Sequence, residues 1–267
     1  MLFRSDQKLT FKHQREVAKS TLTRKWNMLL PYVRHGLCPQ VTHNILNTTI
    51  LPKVLYNAFI WDTNEDMSLH TCLKDLLGVP FNPTTESLHR LANLPTIHIR
   101  YSNDILNLCR LAIEGDTLNN ILLLEKSKLQ KKIRSHIITL LGRHFGENPL
   151  SAEEFKKSKV KRLLKEESNR IWTTHLKQGH NCEGLLSQLE ASHLEKAPIP
   201  LSLPRKTVGQ LCSLMTGQTK LQAFLYKINQ TYTPTCSCLI EDETVFHFIS
   251  KCPNYSYLRY NIELNIE

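Results

Sequence analysis

Glycine is scarce in this chain, 9 among 267 residues, and that scarcity argues against a loop-rich or barrel architecture. No run of about 18 apolar residues occurs, so no stretch is expected to cross a bilayer as a helix. The opening Met1-Leu2-Phe3-Arg4-Ser5-Asp6 lacks the apolar core and small-residue cleavage site of a secretory signal. The expected compartment is therefore intracellular, nucleus or cytoplasm, and no membrane partner is expected. Equally missing are a Gly-rich phosphate loop, a Gly-x-Ser-x-Gly elbow and a His-Glu-x-x-His pair. These absences lead to the expectation that the chain is not an enzyme and takes no small-molecule substrate.

What is present is an ordinary globular balance, 41% hydrophobic and 22% charged residues, in a length suited to one large domain or two small ones. The formal net charge of +10 is segregated. Residues 1–60 carry +7, 61–120 carry −4, 121–177 carry +8, 178–235 carry +2 and 236–267 carry −3. Basic blocks flanking an acidic one suit a protein lying along a phosphate backbone, although any single basic helix face is adequately explained by solvation. Four of the eight cysteines, Cys38, Cys72, Cys109 and Cys212, are isolated and fit core packing. Cys182 beside His180 is too small a cluster to define a metal site.

Apolar spacing predicts helices throughout. Val17, Leu22, Trp26, Leu29, Leu30 and Val33 form one stripe ending near Gly36. Pro39 suits the first turn of a second helix through Val41, Ile45, Leu46 and Ile50, which Pro52 kinks or ends. A third helix is expected through Val54, Leu55, Phe59 and Trp61. A turn-rich break follows at Gly78 to Pro83, then short helices over Thr85–Leu94 and Asn103–Ile113 and a longer one over Leu118–Leu141. Ser151 and Glu154 have capping-box spacing ahead of a helix carrying Val160, Leu163, Leu164 and Ile171 on one face. On its other face Lys159, Lys161, Arg162 and Lys165 form a basic surface. The run Ala197 to Pro204 cannot be helical and is expected to be a stiff linker. The expected organisation is mainly α: a helical bundle over 1–77, a helical connector with basic faces over 85–196, and a small zinc-stabilised helical unit over 205–267.

The last unit holds Cys236, Cys238, His247 and Cys252. Zinc takes four Cys/His donors in a tetrahedron, commonly two from a turn and two from a short helix. Here Asp242 is expected to cap a helix running to Lys251, with His247 on it and Cys252 at its end. Val245, Phe246, Phe248 and Ile249 are expected to pack the site. One structural zinc ion is the expectation; free thiols beside a core histidine are the alternative. A local charge of −3 suits a folding staple better than a phosphate-binding surface.

The run Cys236-x-Cys238, His247-Phe248, Cys252-Pro253, preceded by Met215-Thr216-Gly217 and Glu243-Thr244, resembles the C-terminal zinc-knuckle segment of non-LTR (LINE-type, jockey/R1-like) retrotransposon polyproteins. Asp6-Gln7-Lys8-Leu9-Thr10-Phe11-Lys12-His13 is similar to the stretch after the palm of those reverse transcriptases. Gly36-Leu37 and Pro52-x₃-Tyr56-x₄-Trp61 resemble their thumb helices. Residues of about 85–200 match only in helical character. Gln218 stands where the family has His, and Asn57 where it has Gly.

The resemblance implies a thumb and C-terminal segment of an RNA-directed DNA polymerase, without its catalytic core. Two-metal nucleotidyl transfer needs clustered carboxylates, which the family carries on a Tyr-x-Asp-Asp hairpin that does not occur here. The acids present, Glu153-Glu154, Glu166-Glu167 and Glu241-Asp242-Glu243, are expected on solvated faces or at helix ends. The implied role is binding of RNA and DNA, mostly through phosphate contacts. Its expected carriers are Arg24, Lys25, Lys126, Lys128, Lys131, Lys132, Arg134, Lys159, Lys161, Arg162 and Lys165. The alternatives are a coopted zinc-containing adaptor that binds protein, and a remnant with no function.

Overall fold

The structure is a computed structural model that describes residues 12–56, 58, 69–114, 157–177 and 199–264. It is mainly α, as the spacing predicts. Among the described residues there is no strand, only an isolated antiparallel bridge between Thr235 and Asp242. No described helix is long and apolar enough to cross a membrane. The expected helix over 118–141 and the Ser151/Glu154 cap lie outside the described residues, as do Cys182 and His180. The chain divides into two compact units, Met1–Leu30 with Asn44–Ser68 and Leu94–Trp172, and Pro31–His43 with Leu69–Asn93 and Thr173–Glu267.

Unit 1 begins on helix α1, Lys12–Arg34, whose last residues belong to unit 2. Ala18, Leu22 and Trp26, four residues apart, are buried along it, which is the spacing of one helical face. Helix α2, Pro39–Ile45, passes directly into a π-helical turn, Leu46–Ile50, and then α3, Leu51–Val54. Pro52 lacks an N–H and crowds the carbonyl four residues back. The wider turn, closed by Leu51 N–H to Leu46 O, accompanies it. Pro52 therefore does not end the helical run: α3 continues to Val54, Ala58 is again helical, and Phe59 and Trp61 of the expected third helix lie outside the described residues. Helix α6, Ile97–Glu114, begins six residues earlier than the apolar spacing indicates. Its Arg100 donates to Asn47 Oδ1 at 2.6 Å, and burial lowers the pKa of that guanidinium. Helix α7, Lys157–Lys177, buries Val160, Leu163 and Trp172.

Unit 2 is organised around α4 (His70–Leu77), α5 (Thr85–Leu91) and α8 (Arg205–Thr216). The first of these was hidden in the sequence by its shortness. Cys72, Leu73, Leu76 and Leu77 are buried on α4, and Leu88 and Leu91 on α5. Each such leucine contributes roughly 1.5–3 kcal/mol by leaving water. Gly78 ends α4 in the left-handed region at φ 69°. Thr84 starts α5, its hydroxyl accepting from Ser87 N–H at 3.3 Å, the N-cap arrangement favoured by Thr.

Packing of α8 on α4 depends on glycine. A Cβ on Gly209 would lie 2.4 Å from Gly78 O, so no larger residue permits that approach. Arg205 Nε donates to Asp75 O at 2.9 Å, satisfying a carbonyl at the C-terminus of α4 with a cation. The non-helical stretch ahead of α8 is packed: Ile199 and Leu201 are buried, and Leu201 O accepts from Gln40 N–H at 3.0 Å. Beyond Gly217, at φ 75°, comes α9, Gln222–Lys227, whose Phe224 meets Phe81 edge to face at 4.9 Å. Gln218, one of the two departures from the retrotransposon pattern, donates to Asn82 O at 3.4 Å. Helix α10, Ser256–Leu264, follows a 3₁₀ turn at Pro253–Tyr255.

Candidate metal centre

Residues 234–243 fold back on themselves. Glu243 N–H donates to Pro234 O at 2.8 Å and Cys236 N–H to Glu241 O at 3.0 Å, flanking the Thr235–Asp242 bridge. Between these, Leu239 N–H closes on Cys236 O at 2.9 Å, and Leu239 takes a left-handed φ of 62°. That conformation costs a side-chain-bearing residue roughly 1–2 kcal/mol. It reverses the chain tightly enough for Cys236 and Cys238, separated by one residue, to belong to one cluster.

The other pair comes from a helical turn of unusual winding. On an α-helix, residues five apart point about 140° away from one another. From His247 to Lys251 the chain is a π-helix, closed by Cys252 N–H to His247 O at 2.8 Å. The wider turn brings the two donors back toward one side, a use of π turns common at functional sites. Thr244, and not Asp242, caps this segment: its Oγ1 accepts from His247 N–H at 3.1 Å. Asp242 is occupied in the bridge to Thr235. Val245 is buried, and Phe248 meets Tyr255 edge to face at 4.6 Å. Phe246 and Ile249 face outward, 47% and 38% exposed, contrary to the expectation that both pack the site.

The four donor atoms converge, all within 4.8 Å of one another. Cys236 Sγ lies 3.6 Å from Cys252 Sγ, and Cys238 Sγ 3.2 Å from His247 Nε2. Tetrahedral thiolate ligation at a metal–sulfur distance of 2.3 Å separates sulfurs by roughly 3.8 Å, close to the spacing seen. Cys236, His247 and Cys252 are buried and Cys238 is half-buried. These four residues can hold one metal ion.

Charge at the cluster is set locally. The Ile240 backbone N–H is the main influence lowering the Cys238 thiol to about 7, with weaker help from Cys236, His247 and the Glu241 N–H, against desolvation. Burial raises Cys252. Glu241 Oε2 stands 3.3 Å from His247 Nδ1 and Oε1 3.6 Å from Lys251 Nζ. On the far side Arg259 Nη2 donates to Cys252 O at 2.6 Å. Glu243, the third acid of the run, accepts from Gln222 N–H at 2.8 Å and so fixes the start of α9. Sequence spacing placed these acids at helix ends in general; it had no signal for which amide or ring each would meet.

The basic residues lie elsewhere. On α7, Lys161, Arg162 and Lys165 are exposed and Lys159 is half-buried, away from buried Val160 and Leu163. Arg162 also pairs with exposed Glu166 at 3.6 Å. Glu167 is the exception to a solvated acidic pair: it is fully buried and held by Nε and Nη2 of Arg170. On α1, Arg24 is exposed and lines a shallow concavity with Ser20, Thr23, Asn27 and Met28, while Lys25 is half-buried. Lys126, Lys128, Lys131, Lys132 and Arg134 lie outside the described residues. No family model, curated protein or solved structure matches the chain.

Proposed function

We propose that this chain is a non-catalytic, nucleic-acid-binding segment of the kind found C-terminal to the polymerase core of non-LTR retrotransposon reverse transcriptases, with one structural zinc ion held by Cys236, Cys238, His247 and Cys252. The observation that carries the binding role is the division of α7, with Val160 and Leu163 buried on one face and Lys161, Arg162 and Lys165 exposed on the other. Arg24 beside Ser20, Thr23 and Asn27 adds side chains of the types that contact phosphate and sugar. Neutralised phosphates release counterions, so affinity falls linearly on a log–log salt scale with a slope of about −0.9 per contact. Titration of an RNA or DNA duplex in rising salt should show a steep slope and little sequence preference. Reversing Lys161, Arg162 and Lys165 together to Glu should flatten that slope by up to about three contacts. A salt-independent affinity would reject the reading.

Zinc is the ion of choice because three thiolates and an imidazole form a soft, tetrahedral, four-donor set. Every position is filled by protein, as in closed structural sites. The ion would supply folding energy and no reaction step. A second reading is favoured by one observation: of 15 exposed large hydrophobic side chains among the described residues, 11 fall between Tyr226 and Ile262. Such a surface suits a protein-binding adaptor. The same triple reversal on α7 separates the two, since an adaptor function of residues 226–262 should survive it.

A further inference from the structure

Glu241 touches the four-donor cluster more widely than any other residue outside it. Its carbonyl accepts from Cys236 N–H at 3.0 Å. Its carboxylate reaches His247 Nδ1 at 3.3 Å through Oε2 and Lys251 Nζ at 3.6 Å through Oε1. Two of the four donor residues are thus addressed by one residue, Cys236 through its backbone and His247 through its side chain.

The chemistry of imidazole gives the side-chain contact its meaning. A neutral ring has one N–H and one free lone pair, and the partner of one nitrogen decides which nitrogen keeps the proton. A carboxylate can only accept, so Glu241 holds the proton on Nδ1. That leaves the lone pair on Nε2, the atom that faces Cys238 Sγ at 3.2 Å. His247 is 2% exposed, so bulk water has little access to replace the acceptor. Lys251 draws on the opposite carboxylate oxygen, and its ammonium also lies 5.3 Å from the Phe246 ring centroid, which orients the Lys251–Glu241–His247 series along one side of the π turn.

We propose that Glu241 is the positioning residue of this centre, fixing the metal-binding tautomer and orientation of His247 and thereby setting how tightly the ion is held. The proposal rests on the metal reading above. Carboxylates placed behind a ligating histidine typically change metal affinity 10–100-fold when removed.

The test uses the full chain with Zn²⁺ and Co²⁺ as probes, in competition with a chromophoric chelator. Glu241→Ala should weaken both ions about 10–100-fold. Glu241→Gln, which keeps an acceptor oxygen but loses the charge, should recover part of that loss. Asp242→Asn, at an exposed neighbour outside the donor set, should leave affinity at the parental value. In the zinc-loaded protein, where the ion on Nε2 leaves Nδ1 protonated in every variant, the His247 Nδ1 proton should resonate downfield and exchange slowly in parent and Gln variant, and move upfield with faster exchange in the Ala variant. A parent that takes up neither ion overturns the metal reading and this proposal with it. A parent that binds, with Glu241→Ala equally tight, overturns this proposal alone. Ala and Gln variants impaired to the same degree, with the parental His247 Nδ1 proton signal in both, would also overturn it, because the loss would then owe nothing to the acceptor.

Discussion

Helices α4, α5 and α8 hide Leu73, Leu76, Leu77, Leu88, Leu91 and Val208 almost completely, whereas residues 226–262 of the same unit leave Tyr232, Leu239, Ile240 and Tyr257 more than half exposed. In the second region the fully or nearly buried side chains are Cys236, Val245, His247 and Cys252. Three of those four are metal-ligand types. The first region has a core of ordinary hydrocarbon, assembled by a Gly78–Gly209 approach that no larger residue permits. The second buries Val245 as its one large aliphatic side chain, against a conformational entropy of about 1–2 kcal/mol for the backbone of each ordered residue. Two regions of one unit thus differ in what fills their interiors, leucine side chains in the first and a cluster of sulfur and nitrogen donors in the second.

The most drastic way to break this contrast is to remove the metal. Structural zinc sites contribute about 10–16 kcal/mol of apparent binding free energy near neutral pH, more than the stability of most domains. Chelation should therefore unfold residues from about Ile228 onward while α4, α5 and α8 stay protected. Amide exchange with and without chelator would show it. Uniform loss of protection through α8 would erase the distinction, and no loss anywhere would mean that the terminal region needs no ion. The boundary expected here lies beyond α8, because α8 is bound into the leucine core by Gly209 and Arg205.

The converse experiment attacks the hydrocarbon region. Gly209→Ala forces a methyl against Gly78 O, and overpacked sites of this kind cost typically 1–3 kcal/mol or more. Leu76→Ala, at a fully buried position, should cost about 2–5 kcal/mol. Denaturant unfolding of the metal-loaded protein would measure both. Neither substitution should alter Co²⁺ affinity, because neither residue touches the donors; a large affinity change would show that the two regions fold as one.

Sequence spacing made some of this architecture legible and concealed the rest for identifiable reasons. The four donors announce themselves because thiols and imidazole at those separations have few other uses in a short stretch. The long periodic helix α1 and the basic face of α7 follow from apolar residues recurring at helical intervals. Helix α4, only eight residues long, gives too few turns for a periodic signal to emerge. The π turn at His247–Lys251 is invisible because its residues have the same types as those of an α-helix; only the need to bring His247 and Cys252 to one side hints at it. Asp242 looked like the cap because it precedes the apolar run, yet Thr244 is the residue whose hydroxyl meets the free His247 amide. The burial of Glu167 against Arg170 has no sequence signal, because a Glu-Glu pair on a helix is usually solvated and neither residue is marked as the inward member.

The smallest expected effect concerns the thiols themselves, and it sharpens the contrast without unfolding the leucine core. Burial raises Cys72 and Cys212 to about 12, whereas Cys238 is lowered to about 7, chiefly by the Ile240 N–H. The thiolate is the reactive form, and its population grows tenfold per pH unit until the pKa is passed. In metal-free protein, whose terminal region is expected to open, alkylation at Cys238 should therefore rise with pH up to the ordinary thiol range of about 8.5 and then level off. Cys72 and Cys212 should remain unmodified throughout that range, reacting only where denaturant opens the core. Zinc should protect Cys238 by occupying its lone pair, and a mass-resolved alkylation series with and without zinc would read all three sites at once. If Cys72 or Cys212 reacted as readily as Cys238 in native conditions, the leucine core would be open to solvent, and the difference between the two regions would be one of degree.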